Sequence, residues 1–191
     1  MMTSGLKEVR LGFLLVLLVG SCKEPRPSTA SLPVSTASTI IPGRSDVEIA
    51  DIRKTYRSVG ERLEKLDRVV VELDGYAAEG ARATGYFSAL TLEKLRVEYF
   101  AESGYRVHDF YFADSSLVFM YSTRQLASQM TPELLGVVEN RFYVSNGRLI
   151  RWVDDRGRMR TTTQPDAQAE LLKVLEDAAE FKGIVTRRYK D

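Results

Sequence analysis

The chain has 191 residues, 27 Lys plus Arg, 26 Asp plus Glu, one His and one Cys, for a net charge of +1. Balanced charge excludes the marked basic surplus of a nucleic-acid binder, and one Cys with one His excludes internal disulfides, Cys/His zinc sites and HExxH helices. Hydrophobic residues at 44% and charged residues at 28% are ordinary for a globular chain, here one domain with appendages.

Residues 1–21 read as an export signal. Lys7 and Arg10 precede an uncharged apolar run, Leu11 to Gly20. Ten helical residues reach about 15 Å, half of the roughly 30 Å hydrocarbon core, so a stable membrane span is not expected. An ordinary secretory signal cut after Ala30 or Ala37 is one way to end such a run. It would discard Cys22.

The run closes on Val19-Gly20-Ser21-Cys22. This sequence resembles the lipobox of bacterial lipoproteins: a branched apolar residue, two small residues, then Cys. The resemblance implies that Cys22 is acylated and becomes the first residue of the mature chain. It also implies a membrane partner reached through covalent lipid, because several acyl chains anchor far more firmly than one. Lys23 stands where Asp would retain a lipoprotein in the inner membrane of enterobacteria. The implied place is therefore the bacterial envelope, at the outer membrane facing the periplasm. Loss of Lys7, Glu8 and Arg10 with the signal leaves the mature chain electrically balanced.

Residues 22–45 hold Pro25, Pro27, Pro33 and Pro42 among many Ser and Thr. Such a stretch buries too little apolar area to offset its ordering entropy and reads as a disordered tether. Its coil reach is about 25–30 Å.

The expected domain is 46–191. Ser45 and Glu48 have capping-box spacing. Ile49, Ile52, Tyr56, Val59, Leu63 and Leu66 then recur at intervals of three and four, the stripe of an amphipathic helix. Packing on a sheet is preferred to a coiled coil, because Gly60 interrupts three short heptads.

The period then changes to two. Segments 68–77, 83–88, 95–102, 106–113, 117–123, 141–145 and 148–154 are rich in β-branched and aromatic residues, with Gly, Asn, Asp and Ser between them. Links as short as Ser103-Gly104, Asp114-Ser115 and Asn146-Gly147 permit only antiparallel neighbours. Asn-Gly suits a type I′ hairpin. Residues 110–118 align with 142–150 at an offset of 32, each an aromatic strand, a turn and a returning Leu. Residues 124–140 resist assignment, although Thr131-Pro132-Glu133 suits a short helix through Val138.

Thr163-Gln164-Pro165-Asp166 starts a second helix, with Pro near its first position and an early acid. Ala167, Leu171, Leu172, Leu175, Ala178 and Ala179 mark its face, Gly183 a C-cap, and Arg187 to Lys190 a solvated tail. The predicted fold is α+β. A single antiparallel meander of about seven strands is packed on one face by an N-terminal and a C-terminal amphipathic helix, in two layers. Residues 82–154 are similar in strand–turn–strand pattern to small bacterial lipoproteins with repeated aromatic hairpins, which implies no activity.

Chemistry-bearing residues are sparse. His108 and Asp109 are strand neighbours and point to opposite faces, so they cannot form a base and its orienter. Asp74, Glu98, Asp109, Asp154 and Asp155 lie on or near strands and offer the only acid–base material. Gly75, Gly80 and Gly85 lack phosphate-loop or dinucleotide spacing, and no Ser sits in GxSxG. No enzyme activity, metal or cofactor is expected.

Aromatic residues are the richer resource. Tyr99, Tyr111, Tyr121, Tyr143 and Trp152 form the candidate binding surface for an envelope protein or glycan, since Tyr and Trp are enriched at interfaces. The same rings would also serve to tile a half-exposed sheet. A carrier of a lipid or other apolar ligand is the alternative, similar in outline to half-barrel lipoprotein carriers. An enzyme acting on envelope polymers ranks third.

Overall fold

The computed structural model describes residues 43–102, 104–127 and 134–191. The signal peptide, Cys22 and the tether as far as Pro42 lie outside the described residues, as do Thr131 to Glu133. Helix α1 spans Arg44–Glu61. Its cap is Gly43, whose carbonyl accepts the Asp46 amide at 2.9 Å. Ser45 lies inside the first turn, so the expected capping box does not form, and residues 44 and 45 belong to the helix rather than the tether. Past Glu61 the backbone tightens into a 3-10 turn at Leu63–Lys65, so the apolar stripe continues without an α-helix to Leu66.

Eight strands follow: β1 (Asp67–Leu73), β2 (Ala81–Ser88), β3 (Thr91–Ala101), β4 (Gly104–Ala113), β5 (Ser116–Ala127), β6 (Leu134–Ser145), β7 (Arg148–Val153) and β8 (Met159–Arg160). They pair antiparallel in chain order, as one open meander. The sequence reading counted about seven, missing β8 because two residues carry no period. The helix suggested through Val138 is corrected too: from Leu134 onward the backbone is strand β6, paired to β5.

The hairpins repeat one design. Gly85-Tyr86-Phe87 joins Phe110-Tyr111-Phe112 and Phe142-Tyr143-Val144 as a third copy, and in each the register shifts after the Tyr. The extra residue, Glu93, Val118 or Ile150, lies on the returning strand and bends it just after the turn. In all three, the residue after the shift pairs with the Leu that opens the return: Phe87 with Leu92, Phe112 with Leu117, Val144 with Leu149. Asn146 and Gly147 have φ of 51° and 71°, the left-handed pair that a type I′ turn requires. Asp114 and Ser115, at 48° and 64°, adopt it without glycine.

Helix α2 spans Pro165–Lys190, with Gln164 at its cap and Asp166 in the first turn. It does not stop at Gly183. Its last turn is structural rather than a free tail: Tyr189 stacks on Phe87 with ring centroids 4.1 Å apart, and its hydroxyl donates to Asp67 at 2.8 Å. The buried face is Ala167, Leu171, Val174, Ala178, Phe181 and Val185, whereas Leu172 is exposed. Gly85 lets this helix approach β2; a Cβ there would lie 2.7 Å from the Phe87 ring and 3.1 Å from Val185.

The fold is α+β, but the two-layer arrangement with both helices on one face is corrected. Alternation places Phe110, Met120 and Phe142 on one face, in a cluster with α2. It places Tyr111, Phe119 and Tyr143 on the other, in a cluster with Ile49, Ile52 and Val59 of α1. Large side chains on both sides of the strands demand a cover on both.

Candidate functional site: two grooves on opposite faces of one sheet

On the α1 face, Tyr56 of the helix meets the Tyr111 ring edge-on at 5.0 Å and Phe119 at 5.6 Å, and Phe119 meets Tyr143 at 4.9 Å. Beside this cluster runs a groove of about 420 Å³, bounded by Arg53, Tyr56 and Arg57 of α1 and by Tyr121, Arg141 and Tyr143 of the sheet. Arg53 and Arg57 are four residues apart and exposed, so both guanidinium groups flank the same edge of the helix. Neither enters an ion pair among the described residues.

The opposite wall is braced. Tyr121 donates its hydroxyl to Glu139 at 2.5 Å, and Arg141 reaches the same carboxylate at 2.5 Å while lying 5.8 Å from the Tyr121 ring centre. Burial, reinforced by that acceptor, pushes the Tyr121 phenol up to about 12, so it stays a protonated donor. The Tyr121 hydrogen bond holds the Glu139 carboxyl below its usual range, assisted by Arg141. Such bracing lowers the entropy lost when a ligand binds.

Farther along the same face, Asp109 accepts two hydrogen bonds from Arg96 at 3.0 and 3.1 Å and an ion pair from Lys94 at 3.1 Å. Lys94 and Asp109 are both nearly sealed from solvent. Burial pulls the Lys94 amine down, and Asp109 opposes that shift. Glu98 accepts from the Tyr105 hydroxyl, and Asp154 is consumed by the β7–β8 turn, taking the Arg156 and Arg158 amides and the Arg158 guanidinium. The Arg158 hydrogen bond holds the Asp154 carboxyl down at about 2. These carboxylates are therefore engaged separately rather than brought together as an acid and a base.

The second groove, about 380 Å³, lies between α2 and the β4–β6 strands. Arg106, His108, Ser122 and Asn140 come from the sheet, and Asp177 from the helix, with Met120 and Phe142 beneath. His108 touches Tyr99 edge-on at 5.0 Å. Its Nδ1 is buried without a hydrogen-bond partner. Burial, with Arg106 adding repulsion, pushes the imidazole down to about 4, so it is neutral at pH 7.

The five predicted aromatic residues do not form one surface. Tyr111 and Tyr143 lie under α1, only 4% and 6% exposed, with Tyr121 at the groove wall. Tyr99 and Trp152 belong to the other face, where Trp152 stacks on Phe142 at 5.2 Å and donates its indole N–H to Asn140 at 3.3 Å. Sequence reasoning missed Arg53, Arg57, Arg141 and Arg106. The i, i+4 spacing of Arg53 and Arg57 beside Ile52 and Tyr56 was the available signal. Its meaning appears only once α1 is seated on β5 and β6.

No protein-family model matches this chain, and neither a curated protein nor a solved structure matches it. Fold and grooves alone define it, as an α+β meander with a helix and an open charged groove on each face.

Proposed function

We propose that this chain is an envelope lipoprotein, anchored through acylated Cys22, whose folded part is a non-catalytic module for binding an anionic partner. The observation that supports it is the groove in which Arg53 and Arg57, neither in an ion pair among the described residues, stand beside Tyr56 and across from Tyr121 and the Glu139-paired Arg141. Guanidinium forks match carboxylates and phosphates in two-point geometry. Exposed Tyr faces suit sugar rings or peptide planes at little entropic cost. No helix among the described residues is long and apolar enough to cross a membrane. A carrier of apolar ligands draws less support, because both grooves are lined with charged side chains.

The test uses full-length protein in detergent micelles and two probes, an oligogalacturonate and a neutral dextran. Binding of the charged probe alone, weakened roughly tenfold by joint Arg53→Ala and Arg57→Ala replacement and by added salt, is the expected result. Equal binding of both probes, or no effect of the double variant, overturns it. For the anchor, Cys22→Ser is expected to move the protein from the membrane to the soluble fraction.

A further inference from the structure

The α2 groove carries an arrangement that an anionic partner does not use. Arg106 stands on its sheet wall and Asp177 on its helix wall. Arg106 is near enough to act on the Asp177 carboxyl electrostatically, yet no ion pair within 4.0 Å joins them. Burial, with Glu180, Glu176 and Glu170 adding repulsion, leaves that carboxyl above its usual range, so a positive group beside it would relieve a cost already present in the fold. On the same sheet wall lies His108, its Nδ1 sealed and without a partner. Beneath are Met120 and Phe142, each 3% exposed.

We propose that this groove binds a small zwitterion bearing an apolar substituent, of which an α-amino acid is the simplest. The carboxylate meets Arg106, the ammonium meets Asp177, and the substituent lies along the groove floor at Met120 and Phe142. Arg124 and Asp155 also line the groove, as do Glu170 and Lys173, which pair with each other at 3.5 Å; of these charges, Arg106 and Asp177 are the two on opposite walls that already act on one another. The groove's size lies within the range of small-molecule sites.

The experiment is calorimetric titration of full-length protein in detergent with L-leucine, leucinamide and N-acetyl-leucine, each of the latter two lacking one charge. L-leucine is expected to bind, and each blocked analogue to bind at least roughly tenfold more weakly. Arg106→Ala is expected to remove the preference over leucinamide, and Asp177→Asn the preference over N-acetyl-leucine, with Arg106→Lys retaining binding as the control for an intact fold. A Leu-Leu dipeptide distinguishes sources: tighter binding than L-leucine assigns a peptide end to the same pair of walls. No binding of L-leucine or the dipeptide at millimolar concentration, or N-acetyl-leucine binding as well as L-leucine, overturns the proposal. Arg53 and Arg57 are untouched, so this outcome is independent of the anionic-partner reading.

Discussion

The two faces of the sheet are made by the same strands, one residue out of step, and they differ in kind. Across β4, β5 and β6, the row facing α2 reads Phe110, Met120, Phe142, while the row facing α1 reads Tyr111, Phe119, Tyr143. Among the described residues the first row belongs to a cluster of twenty buried side chains and the second to one of six. Burial of apolar area is the main stabilising term in folding. The α2 face therefore holds the molecule together, and the amphipathic α1 face trades buried area for hydroxyls and charges that remain available.

That contrast is broken or sharpened first by truncating each core. Phe110→Ala, at a position with 0% exposure, is expected to cost about 3–5 kcal/mol in urea unfolding. Ile52→Ala should cost about 2 kcal/mol, the low end for such a truncation. Equal costs would mean that α1 is as integral as α2. Next, Asp109→Ala leaves Lys94 buried beside Arg96 without its acid and is expected to cost about 3 kcal/mol. Adding Lys94→Met should recover part of that loss; if it does not, the network's charge is not what stabilises this region.

Acid tests the α2 face. His108 has its folded pKa near 4, below the unfolded value of roughly 6.5, so the unfolded chain takes up the proton first as pH falls. Its contribution is intact above the unfolded value and is lost progressively down to the folded one, by on the order of 3 kcal/mol. Asp177, raised in the fold, works in the opposite direction, so the informative quantity is the difference between wild type and His108→Gln in urea midpoints at neutral and acid pH. A parallel pH dependence in the two proteins would remove His108 from the account. Smallest of all, Arg53→Ala and Arg57→Ala should each change stability by less than about 0.5 kcal/mol, since both are exposed. A larger loss would mean that they hold α1 down rather than face a partner.

The strands were legible because alternation and turn chemistry agree: Asn146-Gly147 fixes a hairpin, and the aromatic echo fixes its neighbour. Which helix covers which face was not legible. Period two separates the sides of a strand without naming them, and Ile49-Ile52 and Leu171-Val174 are equally apolar stripes. Gly183 misled because glycine in a helix interior costs only about 1 kcal/mol, which Val185 and Tyr189 packing beyond it offsets. The grooves were the least visible part. Arg106 and Asp177 are 71 residues apart, and nothing local links them.

The threefold recurrence of the bulged hairpin has a genetic corollary. Because each copy carries its own kink, its own reversal and its own closing Leu, a tandem duplication or deletion of one copy would add or remove two strands while leaving the others correctly phased. The width of such a sheet is thus free to drift by pairs over evolutionary time, with the surrounding helices as the only members obliged to lengthen or shorten in step.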